Sequence, residues 1–285
     1  MLDGADELLP GAGEASLITL LMREPGESFF GVGNDSRRSH RTRHQQLNVE
    51  ARVDYRRRIG QFLAVDAEVG YRLADIGDAR IGDDPNTRDS YGRELPGLGP
   101  RTQLARAAMA VKTTLVDIPG SPTRGNKTMA RLGYSQSLNG AALSHVSLTA
   151  VTEQFHELFY RRTLSVRLGT DWRFAPGSNA VPFYDLASVG GELFVRRFQR
   201  GRFRDRGSAF TTVTYRFPVA RFLDASLLYE TGRTFHRLDD ISHRDWHPAF
   251  GGGFRTWVPR GIVFELNVIR SSEEARVHFS FDTVF

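Results

Sequence analysis

Residues 47–55 read LNVEARVDY, and every second side chain in this stretch is apolar. The apolar side chains are those of Leu47, Val49, Ala51, Val53 and Tyr55. Between them lie the polar or charged residues Asn48, Glu50, Arg52 and Asp54. Successive side chains of a β-strand point to opposite faces of the sheet, so this two-residue repeat predicts a strand with one apolar and one polar face.

The same repeat recurs along the chain, most clearly in residues 63–73, 162–174 and 276–282. Several of the repeating segments exceed ten residues, which is longer than the strands typical of soluble sheets. The pattern predicts an all-β fold of about twelve strands. These strands are expected near residues 14–23, 47–57, 61–73, 103–117, 127–138, 143–155, 162–174, 208–217, 222–233, 247–258, 262–271 and 274–285.

The connections between the expected strands alternate between short and long. YRRRIG and FPVAR form tight links, whereas residues 74–102 and 175–207 are long and rich in Gly, Pro, Asp and Arg. Strands of this length can cross about 25 Å of hydrocarbon when tilted, and the charged faces suit a wet lumen. The sequence therefore predicts a transmembrane antiparallel β-barrel, with a soluble β-sandwich as the alternative that shares the alternation.

Aromatic residues lie near the ends of several expected strands and indicate girdles at the membrane interfaces. These residues are Tyr55, Tyr71, Trp172, Phe174, Phe217, Trp257 and Phe285.

Composition limits the other classes of protein. The formal net charge is +5 and cysteine is absent, which removes disulfide frameworks and thiolate metal sites. The positive charges are spread along the chain, without a basic helix or zinc-ligand spacing, so no nucleic-acid partner is expected. No stretch approaches the roughly 20 consecutive apolar residues of a membrane helix. The N-terminus MLDGADELLPGAGE is acidic and lacks the positive region of a signal peptide.

One basic and aromatic segment, VGGELFVRRFQRGRFRDRG at residues 189–207, carries a family resemblance. It resembles the loop signature of the BamA-like bacterial surface antigen family of outer-membrane proteins. The tetrad is formed by Val195, Arg196, Arg197 and Phe198, with Arg197 where the family has glycine. The second part of the signature consists of Gly201, Arg202, Phe203 and Arg204.

Further segments resemble family motifs in the expected order. Tyr215, Arg216 and Pro218 match a Tyr-Arg-x-Pro strand. LLYETG resembles a Phe-x-Asp-x-Gly strand, with Glu230 in place of aspartate and Gly232 kept. The remaining matches are a Gly-x-Gly-x-Arg-x-x-x-Pro strand with Gly251, Gly253, Arg255 and Pro259, and a C-terminal strand signal with Phe279, Phe281 and Phe285.

The resemblance implies a sixteen-stranded barrel, usually preceded by periplasmic POTRA domains. About seven expected strands precede the signature segment, where the family has about eleven. Residues 1–285 are therefore expected to be a barrel domain that is incomplete at its N-terminus and contains no POTRA domain. A smaller closed barrel of twelve strands stays open, because even strand numbers are allowed.

The resemblance also implies that the signature loop folds into the lumen, where the tetrad arginine contacts an acidic residue of the wall. Alternation places Glu230 on the polar, lumen-facing side of its strand, because Leu227 and Tyr229 belong to the apolar set. We therefore predict an ion pair between Arg196 and Glu230. In the alternative, Arg196, Arg202 and Arg204 stay outside as a solvated basic loop.

For function, the resemblance implies an integral protein of the Gram-negative outer membrane that acts in outer-membrane protein assembly or in protein translocation. The expected partners are outer-membrane lipid, unfolded outer-membrane or secreted proteins, and periplasmic proteins. The seam between first and last strands would be the gate. A passive pore or transport channel, and a barrel that anchors an N-terminal domain, are the alternatives.

The sequence contains none of the common local catalytic motifs, so neither an enzyme nor a cofactor is predicted. A barrel-borne Ser-His-Asp hydrolase stays open, because such triads are not local in sequence. Asp83, Asp84 and Asn86 lack the spacing of an EF-hand, and no metal site is predicted. The best metal candidates lie in an expected loop: His236, Asp239, Asp240, His243, Asp245 and His247.

Overall fold

Twelve antiparallel strands in one sheet form most of the structure. The computed structural model describes residues 13–92, 95–190, 198–242, 244–259 and 261–281. The strands of the sheet are β1 (Gly13–Phe29), β2 (Thr42–Ile59), β3 (Leu63–Asp78), β4 (Thr102–Val116), β5 (Gly125–Ser137), β6 (His145–Glu157), β7 (Thr163–Phe174), β10 (Gly207–Ala220), β11 (Leu223–Phe235), β12 (His247–Val258), β13 (Gly261–Ser271) and β14 (Ala275–Phe281).

Sheet order follows chain order. Each strand pairs with the next by an antiparallel ladder, and β7 pairs directly with β10. The connection between β7 and β10 contributes a separate two-stranded sheet of β8 (Ala187–Val189) and β9 (Phe203–Asp205). A short α-helix, α1 (Thr87–Tyr91), lies between β3 and β4. No helix within the described residues is long and apolar enough to cross a membrane.

The prediction of about twelve strands is confirmed, and several strands are longer than predicted. β1 continues to Phe29 rather than residue 23, and β2 begins at Thr42 rather than residue 47. Alternation missed these extensions because the added residues, EPGESF at 24–29 and TRHQQ at 42–46, are mostly polar and do not alternate apolar with polar side chains. β8 and β9 were not predicted, since three residues are too few to show a repeat.

The two faces of the sheet are reversed relative to a soluble protein. The outward side chains are apolar and exposed, with exposed fractions of 51% for Val53, 59% for Leu227 and 64% for Phe279. The inward charged side chains are buried, and only 4% of Asp171 and 4% of Asp224 is exposed. A β-sandwich buries its apolar face instead. This distribution excludes the sandwich and is that of a barrel with lipid outside and a polar lumen.

The two ends of the barrel differ in their connections. The end that we call the short-turn end carries the links 60–62, 117–124, 158–162, 221–222 and 259–260. The opposite end, called the long-loop end, carries the connections 30–41, 79–101, 138–144, 175–206, 236–246 and 272–274. The backbone N–H of Gly120, between β4 and β5, donates to the carbonyl of Pro259 after β12, 3.2 Å away. Because this bond joins strands that are far apart in the sheet, the sheet must curve around a lumen.

The aromatic residues expected in girdles divide between the two faces. Tyr55 and Phe174 are exposed on the outer surface near the strand ends. Trp257 was wrongly expected there: it is buried, with its ring 5.5 Å from that of Phe222. The physical reason is the two-residue repeat itself, since Trp257 has the parity of the lumen-facing Arg255.

Candidate functional site in the barrel lumen

The described parts of the long connection between β7 and β10, residues 175–190 and 198–206, include side chains that pack against the inner wall. Val189 on β8 pairs with Phe203 on β9, and both side chains are buried together with Phe198. This group packs on Phe210 of β10, with Val151 of β6 at its border. The rings of Phe198 and Phe203 meet edge to face, 5.3 Å apart. An apolar cluster thus attaches this part of the connection to the lumen wall.

Arg202 joins this connection to the first and last hairpins of the sheet. Its guanidinium binds the carboxylate of Glu273 in a bidentate manner, with Nη2 2.6 Å from Oε1 and Nε 2.9 Å from Oε2. Glu273 lies in the turn between β13 and β14. Nη1 donates to Oγ of Ser36, in the β1–β2 connection, at 3.0 Å. The guanidinium also lies 4.2 Å from the ring centroid of Phe203 and 4.8 Å from that of Phe30.

Arg204, two residues further along the chain on β9, is buried and donates to main-chain oxygens. Its guanidinium donates to the carbonyls of Gly201 and Phe183 at 3.3 and 3.2 Å. Its own carbonyl accepts a hydrogen bond from the N–H of Gly33 at 2.7 Å. Burial lowers the pKa of this guanidinium below its ordinary value. Gly201 has φ of +68°, and a side chain there would collide with the Arg204 guanidinium. Glycine at this position of the signature therefore allows the guanidinium to pack against the backbone.

Two more residues of the segment contact β1. Gln199 Nε2 donates to Ser28 Oγ at 3.0 Å, and Arg200 Nη1 lies 3.2 Å from Glu24 Oε1. Together with Arg202, they connect the β7–β10 connection to the first strand and to the last hairpin of the sheet.

The predicted tetrad lies largely outside the described residues, which include Phe198 but not Val195, Arg196 or Arg197. Glu230 lies on the lumen face of β11, between Thr212 and Ala249, and is 5% exposed. Gly232 lies beside Phe210 and His247 on the same face. The Arg196–Glu230 pair therefore stays a prediction.

The motif arginines Arg216 and Arg255 meet on one buried carboxylate, that of Asp224. Arg255 Nη2 lies 3.2 Å from Asp224 Oδ2, and Arg216 Nε lies 3.5 Å from the same oxygen. Ser121 Oγ donates to Oδ2 at 3.2 Å and accepts from Arg255 Nη2 at 2.8 Å. The Arg216 guanidinium also donates to the carbonyl of Pro122. Two strand motifs therefore hold the β4–β5 connection, because Ser121 and Pro122 belong to it.

The β4–β5 connection is folded tightly across the short-turn end of the lumen. The carboxylate of Asp117 accepts hydrogen bonds from the N–H and Oγ of Thr123, at 2.9 and 2.5 Å. Burial opposes ionisation of Asp117, but these bonds and those from the N–H groups of Arg124 and Ile118 together outweigh it and hold the pKa of its carboxyl below the ordinary value. Together with the Gly120–Pro259 bond, this places a compact plug at the short-turn end.

A cavity of about 300 Å³ remains between β1, β2, β3 and the inward-folded connection. At its wall, Arg72 Nη1 lies 2.6 Å from Asp185 Oδ1. Burial of Asp185 raises the pKa of its carboxyl, but the positive charges of Arg72, His145 and Arg106 together outweigh burial and lower that pKa below its ordinary value. The walls are mixed in charge and include Glu24, Glu27, Gln46, Asn48, Glu50 and Arg204.

The other residues singled out in the sequence have separate positions. Tyr215 points outward and its hydroxyl accepts from Arg162 at 3.2 Å. Gly251 and Gly253 lie opposite Ile269 and Asn267 on the lumen face of β12. Phe279 and Phe281 are exposed on the outer face of β14, and Phe285 lies outside the described residues.

The residues considered for a metal site do not form one in the described part of the chain. There, no group of three or more histidine, aspartate or glutamate side chains is arranged to hold a metal ion. His236 instead contacts the carboxylate of Asp205 at 3.1 Å, and His247 stacks on Phe203 at 3.8 Å. His243 lies outside the described residues.

Sequence reasoning missed Glu273 and the contacts of Ser121. The run Ser271-Ser272-Glu273-Glu274 was a signal for the first, since two carboxylates in a hairpin turn are available to a basic loop. No local signal identifies Ser121, because its partner Asp224 lies 103 residues further along the chain.

These features define a class: an antiparallel transmembrane β-barrel whose lumen holds an inward-folded long connection. BamA from Haemophilus ducreyi lacking POTRA domains 1–3 has this fold, with a TM-score of 0.64 and 12% sequence identity over 93% of this chain. CdiB from Acinetobacter baumannii is also similar, with a TM-score of 0.50 and 13% identity over 96% of this chain. The chain thus shares the barrel fold of BamA.

The similarity covers only part of each known chain. This chain spans 61% of the BamA chain and 48% of the CdiB chain. No family model and no curated protein sequence matches it.

Proposed function

We propose that this protein is an integral outer-membrane barrel of the BamA-like class that acts in outer-membrane protein assembly or in protein translocation, rather than as a passive pore. The observation that carries the proposal is the occupied lumen. The β7–β10 connection fills the long-loop end through Phe198, Phe203 and Arg202, and the β4–β5 connection covers the short-turn end. A passive pore needs a continuous aqueous path, which this packing obstructs.

The position of Arg202 suggests how the filled lumen would serve such a function. It contacts both the β1–β2 connection and the β13–β14 turn, which belong to the first and last hairpins of the sheet. Among the described residues, β1 and β14 each pair with one neighbour, so both have an edge. A bridge that ties these hairpins together at the long-loop end would limit how far their edges separate.

The barrel fold shared with BamA supports the proposed class and an outer-membrane location, although the likeness itself concerns only the fold. We further propose that the substrates are unfolded outer-membrane or secreted proteins and that periplasmic partners deliver them. Substrates of this kind expose unpaired strand edges, which the edges of β1 and β14 are able to pair with.

Two measurements on the purified protein in lipid vesicles test the proposal. Steady conductance in a planar bilayer should be small, and vesicles that contain the protein should fold an added, urea-unfolded outer-membrane protein faster than empty vesicles. A large steady conductance without faster folding would contradict the proposal and favour the passive pore. The matched control is the same vesicle with heat-unfolded protein.

A further inference from the structure

Five arginines lie in or beside turns at the short-turn end of the barrel. Arg57 and Arg58 precede the turn between β2 and β3, Arg161 and Arg162 lie in the turn between β6 and β7, and Arg221 lies between β10 and β11. We call these five residues the short-turn arginines. All are exposed except Arg162, which is half-buried. Positive charge thus surrounds one rim of the barrel at three separate turns.

The short-turn arginines differ from those at the opposite end in their partners. Within the described residues, no carboxylate lies within ion-pair distance of any of the five. At the long-loop end, by contrast, Arg43 pairs with Asp84 at 2.6 Å and Arg202 pairs with Glu273. Arg162 donates one N–H to the hydroxyl of Tyr215. The other donors of these guanidinium groups are not taken up by a described carboxylate and can bind an external anion.

Exposed aromatic side chains accompany these arginines. Phe62 is exposed in the β2–β3 turn and Tyr160 in the β6–β7 turn, with 86% of Tyr160 accessible. The guanidinium of Arg162 lies 5.0 Å from the ring of Phe159, and that of Arg221 lies 5.1 Å from the ring of Phe222. Aromatic rings at the ends of lipid-facing strands are typical of the headgroup level of a bilayer. The arginines therefore lie at the height of lipid phosphates.

We propose that the short-turn arginines bind the phosphates of anionic phospholipid headgroups on the face of the membrane where the short turns emerge. A guanidinium presents a planar fork of donors that matches phosphate oxygens. The five residues are distributed over three turns along the rim, which fits several separate lipids better than one compact acidic protein. The inference rests on the proposed function, because it requires the barrel to span a membrane.

The test compares three proteins: the natural chain, a variant with Arg57, Arg58, Arg161, Arg162 and Arg221 changed to Gln, and a matched control. The control changes five exposed arginines away from the short turns to Gln, and so removes the same charge: Arg37, Arg80, Arg237, Arg244 and Arg270. Each protein is inserted into vesicles of phosphatidylcholine alone or mixed with phosphatidylglycerol. The temperature at which the folded gel band converts to the unfolded band is measured.

We expect phosphatidylglycerol to raise this temperature by a few degrees for the natural chain and the control, and to leave the short-turn variant nearly unchanged. High salt should remove the difference. An equal rise for all three proteins would overturn the proposal. Indifference of the natural chain to phosphatidylglycerol would also overturn it, and would favour an acidic protein as the partner of these arginines.

Two further outcomes keep the test decisive. Should the five-residue variant not fold, the pairs R57Q/R58Q and R161Q/R162Q are measured separately, and each should lose part of the rise. A folded band that is absent for the natural chain in every lipid would contradict the membrane barrel itself. A folded band that melts independently of phosphatidylglycerol contradicts only the lipid site.

Discussion

Arg202 makes more contacts than any other residue of the signature segment that the structure describes. Its guanidinium is almost fully buried, binds Glu273 with two hydrogen bonds, and lies between the rings of Phe30 and Phe203. A buried charge of this kind depends on its partner, because removal of the partner leaves an uncompensated ion. The resemblance implied that the loop containing Arg202 folds into the lumen. For the contact between this loop and the wall, however, the prediction was an ion pair of Arg196 with Glu230.

A double-mutant cycle measures the Arg202–Glu273 pair. We expect Arg202→Gln and Glu273→Gln each to lower the free energy of unfolding by about 3 kcal/mol, because each breaks a bidentate ion pair that includes the buried Arg202 guanidinium. The double variant should be little worse than either single variant. Unfolding in urea, followed by gel band shift in vesicles, gives the values.

Arg237→Gln is the matched control for this cycle. Arg237 and its partner Asp239 are both highly exposed, so the change should alter stability by no more than about 0.5 kcal/mol. Fully additive losses for Arg202 and Glu273 would show that the two side chains do not act as a pair.

A second prediction for a single residue concerns the stability of the barrel at low pH. The pKa of the Asp185 carboxyl is lower in the folded protein than its ordinary value of 3.8. Folding lowers the pKa of such a carboxyl, and the ionised carboxylate therefore stabilises the folded state. This stabilisation is complete at pH values well above the pKa of the unfolded state, and it is lost as the pH falls through the pKa of the folded state. We therefore expect the barrel to lose stability as the pH falls from about 5 to below 3.8.

The comparison with Asp185→Asn isolates this contribution. The variant should be less stable at pH 7, because Arg72 then loses its buried carboxylate, and its stability should depend less on pH over the acid range. A natural chain and a variant with the same acid dependence would contradict the assignment to Asp185. The midpoint of urea unfolding at a series of pH values gives the comparison.

At the scale of elements, the sequence predicted the parts that repeat and missed those that depend on distant contacts. Every strand of the large sheet was predicted, because its apolar face must meet lipid and its polar face the lumen. The fold of the β4–β5 connection was not predicted, because Ser121 and Pro122 are held by Asp224 and Arg216, about 100 residues further along the chain. Neither the composition nor the periodicity of a sequence predicts a contact between residues so far apart in the chain.

The β4–β5 connection offers a prediction about conductance. Gly120 lies so close to Val258 and Gly261 that a side chain there would overlap their main-chain atoms. We expect Gly120→Val to displace the plug from the short-turn end and to increase the conductance of the barrel in a planar bilayer several-fold over the natural chain.

Gly99→Ala is the matched control, because Gly99 lies in a connection at the other end of the barrel and has open space around its Cα. It should leave conductance unchanged. Equal conductance for Gly120→Val and the natural chain would mean that this connection does not obstruct the lumen.

At the scale of the whole molecule, the reversal of the two sheet faces explains the remaining features. Charges that a soluble protein exposes are buried in the lumen, where they pair with one another and with the inward connections. Apolar side chains that a soluble protein buries are exposed, and they require lipid. The sequence predicts this reversal in every segment where apolar and polar residues alternate. Which end of the lumen each connection fills depends on contacts between residues that are far apart in the sequence.

The central claim is that each strand has one lipid face and one water face, and cysteine labelling along β10 tests it most directly. The chain contains no cysteine, so single cysteines can be placed at Thr212, Val213, Thr214 and Tyr215 without further changes. In vesicles, we expect a water-soluble maleimide to label positions 212 and 214, and a maleimide dissolved in the lipid to label positions 213 and 215. Labelling of 213 and 215 from water, or equal labelling at all four positions, would contradict the barrel.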